Sequence, residues 1–300
     1  MKLLLLGGNG QVGRELRRAL PGLGEVVVAT RAGAEGALAA DFDVPDSVGE
    51  LVRRIAPDVV VNAAAYTAVD RAESEPDAAF RVNALAPAAI AQACAATGAL
   101  LLHYSTDYVF DGSASRPYRE DDATAPLGVY GASKLAGEEA VRASGARHAI
   151  LRTAWVYAAH GKNFLHTMLR LAHERDELRV VGDQIGAPTP AGWIADASAR
   201  IIAQGLPASG TWHLVAAGET SWHGFAEAIM DEALAAGLLV RGPRVLPITT
   251  ADYPTPARRP AYSVLDTNRL PKDFGVTAPD WRDGLHAVIA ELAASRAYAA

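Results

Sequence analysis

The chain reads as an α/β protein built on a doubly wound parallel sheet, with a smaller C-terminal domain. Short apolar runs at residues 3–6, 26–29, 59–61, 100–103 and 149–151 are near-continuous, not alternating. That pattern belongs to strands covered on both faces of a parallel sheet. Helix-period stretches at 12–20, 47–55, 76–97 and 130–144 fall between them, and regular strand–helix alternation with right-handed crossovers builds a doubly wound sheet. A glycine-rich turn, Gly7-Gly8-Asn9-Gly10-Gln11-Val12-Gly13, follows the first run directly.

After about residue 155 the pattern loosens. A helix at 164–174, a strand at 178–181 and a proline-interrupted segment at 187–190 come first. A strand at 212–215, a helix at 222–236 and a proline-rich loop at 243–260 follow. We expect residues 1–155 to form the sheet domain, completed by parts of 175–220, and residues 156–300 mainly to cap its carboxyl edge. The alanine runs reflect helix propensity, and no internal repeat or low-complexity tail is evident.

Composition bounds the function. Three hundred residues with 50% hydrophobic content can bury a large core. A net charge of -6 argues against a general nucleic-acid partner and for a small molecule. The single cysteine, Cys94, lies in an alanine-rich helical stretch and reads as a buried structural thiol. That suits a reducing cytoplasm. Residues 3–6 are too short for a membrane span, and the glycine turn stands where a signal peptide would continue its apolar region. We therefore expect a soluble, unprocessed cytoplasmic chain without a membrane partner.

The glycine turn is the first candidate site. Gly7, Gly10 and Gly13 recur every three residues between a strand and a helix opening near Gln11. Such glycines permit a tight turn and close backbone approach, while free N–H groups at the helix start face a pyrophosphate. Asn9, Gln11 and Val12 share that turn. The second strand ends in Thr30 and Arg31 rather than an acidic residue. A carboxylate there would bind the adenosine ribose, whereas a guanidinium can pair with a 2′-phosphate. The expectation is NADPH, with NADH as the alternative and a solvated surface arginine as the bland reading of Arg31. Asp41, beside Phe42, would either accept a hydrogen bond from the adenine amino group or cap a turn. Ala63, Ala64, Ala65, Tyr66 and Thr67 follow the third long run at the carboxyl edge, where cofactors lie.

The chemical site is expected at the same edge. Thr106 ends the fourth long strand and can donate a hydrogen bond to a carbonyl oxygen. Tyr130 and Lys134, at i and i+4, share one helix face. A phenol titrates near ~10 and a nearby ammonium lowers that value, so Tyr130 becomes the proton donor as a hydride reaches a ketone carbon. On its own, a tyrosine and lysine pair four apart is commonplace on solvated helices. The order glycine turn, Thr106, Tyr130, Lys134 gives it meaning. His103, His148, His213 and His223 have no metal-ligand spacing and read as core or surface residues.

With residues 105–112, 130–134 and Arg152-Thr153-Ala154-Trp155-Val156-Tyr157, the glycine turn resembles the extended short-chain dehydrogenase/reductases, and more narrowly the dTDP-4-dehydrorhamnose reductase family. The resemblance also takes in residues 62–70 and 73–76, Asn163-Phe164, residues 183–189 and Tyr253-Pro254-Thr255-Pro256. It implies NADPH-dependent reduction of a keto sugar nucleotide to dTDP-β-L-rhamnose for cell-surface polysaccharide. It implies proton donation by Tyr130, assisted by Lys134 and tuned by Thr106. By the same similarity Asp107, Tyr108, Trp155 and Asn163 contact the sugar nucleotide, Tyr104 borders the nicotinamide and Asn83 supports the site from its helix. Trp155 would otherwise serve as an aromatic plug between domains. Arg258 and Arg259 match a clamp for the substrate diphosphate or stand as solvated charges.

Asp107 is followed by Tyr108, not by the second carboxylate that dehydratase chemistry needs. A non-catalytic regulatory subunit and a reductase or epimerase of another nucleotide sugar are the alternatives. Some family members hold Mg²⁺ at a dimer interface through three glutamates. Glu15 and Glu291 match two of them, but Gly192 occupies the third position, which argues against the ion and that dimer. The expected state is a monomer or weak homodimer.

Overall fold

In the computed structural model, residues 1–33 and 36–299 are described. Seven parallel strands form the central sheet. Their spatial order is Gly210–His213, His148–Thr153, Leu100–Thr106, Val59–Asn62, Lys2–Leu6, Glu25–Thr30 and Leu38–Ala39. The order reverses between Lys2–Leu6 and Val59–Asn62, which makes that carboxyl edge the topological switch point where ligands bind. Leu3 to Leu6 are all fully buried because helices cover both faces of the sheet, as their unbroken apolar run requires.

Each face has its own core. One packs Leu3, Leu5 and Leu16 with Ile194, Ile201, Trp212 and Phe274. The other packs Leu4, Leu6 and Val60 with Val48, Val52, Ile90 and Cys94. Cys94 is free and buried, and burial pushes its thiol up to about 12. A third core joins the helices Phe164–Glu174, Trp222–Ala235 and Trp281–Ala299 in the cap.

Three sequence expectations need correction. The stretch 76–97 is not one helix: Pro76–Phe80 and Ala86–Thr97 flank a π-helical turn, Arg81–Leu85. Glu177–Val181 does not complete the central sheet but pairs in parallel with Arg244–Ile248, inside the supposed proline-rich loop. Pro247 is tolerated there because this two-stranded ribbon leaves one edge free. The helices Ala191–Gln204 and Trp281–Ala299 also escaped the periodicity reading. The former is apolar around much of its circumference, with Ala191, Ile194, Ala197, Ile201 and Ile202 buried, so its helical period is weak. Among the described residues, no helix is long and apolar enough to cross a membrane.

Candidate active site

A cleft of about 870 Å³ lies along the carboxyl edge of the sheet. Gly7, Asn9, Gly10, Gln11 and Val12 line one end of it, with Arg31 and Phe42 nearby. Gly7 has φ +82°, and a Cβ there would meet Ala64 N at 2.7 Å. A Cβ on Gly13 would stand 2.0 Å from Gly7 O. Only glycine lets the turn close this tightly against the next helix. The helix Gln11–Ala19 carries no side-chain cap on its N-terminal N–H groups, so they can take a ligand's phosphates. Together with the exposed Arg31, this lining fits a dinucleotide phosphate.

Other expected cofactor residues take different places. Ala63, Ala64, Ala65 and Thr67 line the cleft; Gly13, Thr30 and Tyr66 do not. Gly13 and Thr30 are buried supports. Tyr66 turns its phenol onto Glu75 Oε2 at 2.8 Å. Asp41 also lies outside the lining and accepts from Asp43 N at 3.0 Å. Of its two sequence readings, the structure therefore displays the turn cap.

Thr106, Tyr130 and Lys134 meet in the middle of the same cleft with Tyr104, Asp107 and Tyr108. The strand Leu100–Thr106 delivers Thr106, whose Oγ1 accepts from Tyr108 N at 3.2 Å and donates to Asp107 Oδ1 at 3.0 Å. The helix Val129–Ala143 delivers Tyr130 and Lys134. Its first N–H is held by Glu73 Oε1 at 2.8 Å from Val129 N. Asn83 ties the assembly together from the π-helical turn. Its Oδ1 accepts from Tyr66 N at 2.8 Å, while its Nδ2 donates to Tyr66 O and Ser133 Oγ, each at 3.0 Å.

The electrostatics differ from the sequence expectation. Burial pushes Tyr130 up to about 12; the Thr106 hydroxyl pulls it down and the Asp107 carboxylate pushes it further up. Lys134 is not the group that lowers the phenol. Its Nζ donates to Tyr104 O at 2.6 Å, and burial lowers the ammonium itself to about 8 against the opposing pull of Glu138. Helical spacing put both residues on one face, but the neighbouring strand decided where the ammonium goes.

Beneath Lys134, Glu138 accepts from Arg152 Nε at 2.9 Å and Nη2 at 2.8 Å, and from Arg142 Nη2 at 2.6 Å. Burial works to raise this carboxyl, but the two guanidiniums outweigh it and hold it at about 2. Asp107 has no such cation. Burial raises it to about 6, and its Oδ2 has no hydrogen-bond partner.

Trp155 lines the cleft with a left-handed backbone, φ +47°. Its indole stacks on Trp222 with centroids 3.5 Å apart and planes 5° from parallel. The indole also lies against Gly186, where a Cβ would come within 2.6 Å of it. Trp155 thus stacks on the first residue of the helix Trp222–Ala235 and borders the cleft at once. Trp222 and Lys162 also line the cleft, and the sequence reading missed both. Trp222 opens a helix behind the Ser221 cap, a position that carried no motif.

Asn163 lines the cleft. The two expected clamp arginines part company. Arg259 lines the cleft and donates to Asp70 Oδ2 at 2.8 Å, whereas Arg258 is exposed and outside the lining. Glu15 meets His160 at 2.7 Å and Arg18 at 3.2 Å, and a Cβ on Gly192 would stand 3.6 Å from its Oε2. Glu291 is exposed on the last helix. His103 and His213 are buried, and burial keeps both imidazoles neutral, with His213 lowered to about 3.

The chain is similar to known proteins over nearly its whole length. The sequence profile of the RmlD substrate binding domain family matches residues 1–294. The chain is 48% identical over 295 residues to a dTDP-4-dehydrorhamnose reductase of Shigella flexneri, covering 97% of this chain and 98% of that protein. It is 49% identical over 301 residues to one from Burkholderia thailandensis, covering 97% and 99%. A crystal structure of dTDP-4-dehydrorhamnose reductase from Bacillus anthracis in complex with NADP is 35% identical, with a TM-score of 0.89 over 97% of this chain and 99% of that one.

Proposed function

The chain belongs to the dTDP-4-dehydrorhamnose reductase family, and from that premise we infer the following course for its reaction. The enzyme reduces the 4-keto group of dTDP-4-dehydro-β-L-rhamnose with NADPH and yields dTDP-β-L-rhamnose. Bound NADPH supplies the hydride that reaches the ketone carbon. Tyr130 gives its phenolic proton to the oxygen of the developing alkoxide, so hydride and proton together complete the alcohol. Thr106, whose hydroxyl draws the phenol pKa down in the free site, turns its one proton from Asp107 Oδ1 to that oxygen once the ketone is bound. Lys134 stays cationic below about pH 8, braced by Tyr104 O, and offers its remaining N–H donors to the nicotinamide ribose.

The glycine turn takes the cofactor pyrophosphate and Arg31 the 2′-phosphate. Asp107, Tyr108 and Trp155 hold the sugar nucleotide, with Arg259 toward its diphosphate; Asn163, expected beside them, instead braces the bordering loop, its amide engaged by Gln11, Ala158 and His166. Arg258 serves outside direct contact, consistent with its exposure. The observation that carries this reading is the meeting of Thr106, Tyr130 and Lys134 in one cleft with the glycine turn.

Two broader assignments go with it. We place the reaction in the cytoplasm, where a lone buried thiol such as Cys94 stays reduced, and its product, an activated sugar donor, in polysaccharide assembly. We also assign a monomer or weak homodimer, because Glu15 is engaged by His160 and Arg18 and faces a glycine at position 192.

The test is turnover. Purified protein with the keto sugar nucleotide and NADPH should consume nicotinamide absorbance. Tyr130→Phe should lower kcat by about 10² or more, as loss of a general acid does. An undiminished rate in that variant would remove Tyr130 from its role.

A further inference from the structure

Four cationic side chains line the cleft: Arg31, Lys134, Lys162 and Arg259. Arg259 is neutralised by Asp70, and Lys134 is buried against Tyr104 O. Among the described residues, Arg31 and Lys162 make neither an ion pair nor a side-chain hydrogen bond. Arg31 stands at the end of the second strand. Lys162 stands on the loop between Val156–Tyr157 and the helix Phe164–Glu174.

That loop is docked on the helix of the glycine turn. Asn163 Nδ2 donates to Gln11 Oε1 at 2.8 Å, and His160 Nε2 lies 2.7 Å from Glu15 Oε1. Asn163 also closes the loop on itself through Ala158 O at 2.9 Å, and it caps the following helix by accepting from His166 N at 3.0 Å. Gly161 takes φ +77°, and a Cβ there would sit 3.3 Å from Gln11 Cγ. Gln11 is the first residue of the helix whose open N–H groups face the cleft. The loop thus holds Lys162 beside the end of the helix that favours a pyrophosphate.

We propose that Lys162 is a cofactor-binding residue that pairs with the dinucleotide pyrophosphate from the cap side, opposite the glycine turn. The proposal rests on the reading of the chain as an NADPH enzyme and adds to it a phosphate ligand from the second lobe. The two cations then divide the cofactor's charge: Arg31 takes the 2′-phosphate, which NADH lacks, and Lys162 takes the pyrophosphate, which both dinucleotides share. Loop 158–163 becomes a strap, so that cofactor binding stiffens the junction between the lobes.

The experiment is equilibrium binding without the keto sugar, by calorimetry or nicotinamide fluorescence, on wild type, Lys162→Met, Lys162→Arg and Arg31→Met. Lys162→Met should weaken NADPH and NADH by the same factor, roughly tenfold, the size of one charge-assisted hydrogen bond. Added salt should narrow that gap. Lys162→Arg should retain most of the affinity, dTDP binding should be unchanged, and Arg31→Met should weaken NADPH alone. Lys162 is exposed, so the variants should fold normally. Unchanged dinucleotide affinity in Lys162→Met would overturn the proposal, as would a loss confined to NADPH or to dTDP. Failure of the wild type to bind either dinucleotide would instead sink the parent reading.

Discussion

Two buried carboxyls in this site have opposite fates, and cation proximity decides which. Glu138 lies between Arg152 and Arg142 and is held at about 2, whereas Asp107 has only hydrogen-bond donors near it and rises to about 6. Asp107 therefore binds a proton more tightly in the folded chain than its ordinary value of 3.8 implies. Unfolding releases that proton between about pH 4 and 6, so stability falls as pH rises through this window and stays lower above it. A shift of roughly two units corresponds to about 3 kcal/mol. Asp107→Asn should accordingly be about 2–3 kcal/mol more stable than the parent at pH 7, with no gain near pH 4, in urea melts at both values. An equal gain at both pH values would mean that ionisation is not the cause. The expected cost is weaker binding of the sugar nucleotide. Both residues were visible in the sequence, but their opposite titration was not, since neither motif nor spacing says which guanidinium reaches which carboxylate.

At the level of elements, the helix Val129–Ala143 works by close approach. A Cβ on Gly137 would stand 2.1 Å from Asn83 O, and one on Gly131 would stand 2.2 Å from Tyr108 O. Both glycines cost helix propensity, yet they let the helix lie directly on the π-helical turn and on the segment after Thr106. Gly137→Ala should therefore lower the melting temperature by several degrees, although alanine is the better helix former. Thermal unfolding followed by circular dichroism checks it, and an unchanged or higher midpoint would show that the contact yields freely. The π-helical turn was hidden from periodicity, because one extra residue inside a helix barely alters an apolar pattern already rich in alanine. The cap strand Arg244–Ile248 was hidden by Pro247, which counts against a strand unless an edge is free.

Across the whole molecule the two lobes are interleaved. Ile194, Ile201, Trp212, Leu214, Leu270 and Phe274 share a core with Leu3, Leu5 and Leu102; sequence patterning expects parts of 175–220 to return to the first lobe, and Leu270 and Phe274 lie beyond them. The strand Gly210–His213 closes one side of the sheet by pairing with His148–Thr153. A fragment of residues 1–155 would leave that strand unpaired on one edge and one sheet face uncovered. It should show no cooperative thermal transition and should bind a hydrophobic dye. A sharp transition close to that of the intact chain would establish the fragment as a complete folding unit.

Local order in the chain was enough for the alternating strands and helices, the glycine turn, and the series Thr106, Tyr130, Lys134, because strand runs, tight turns and helix faces are short-range properties of adjacent residues. Tertiary structure alone decided that Lys134 turns to Tyr104 O, that Asp107 is left without a cation, that Arg258 faces outward while Arg259 lines the cleft, and that Trp222 and Lys162 enter it from the cap. Each of those outcomes depends on contacts between residues tens of positions or more apart, and burial and pairing at such distances exist only once the chain has closed on itself.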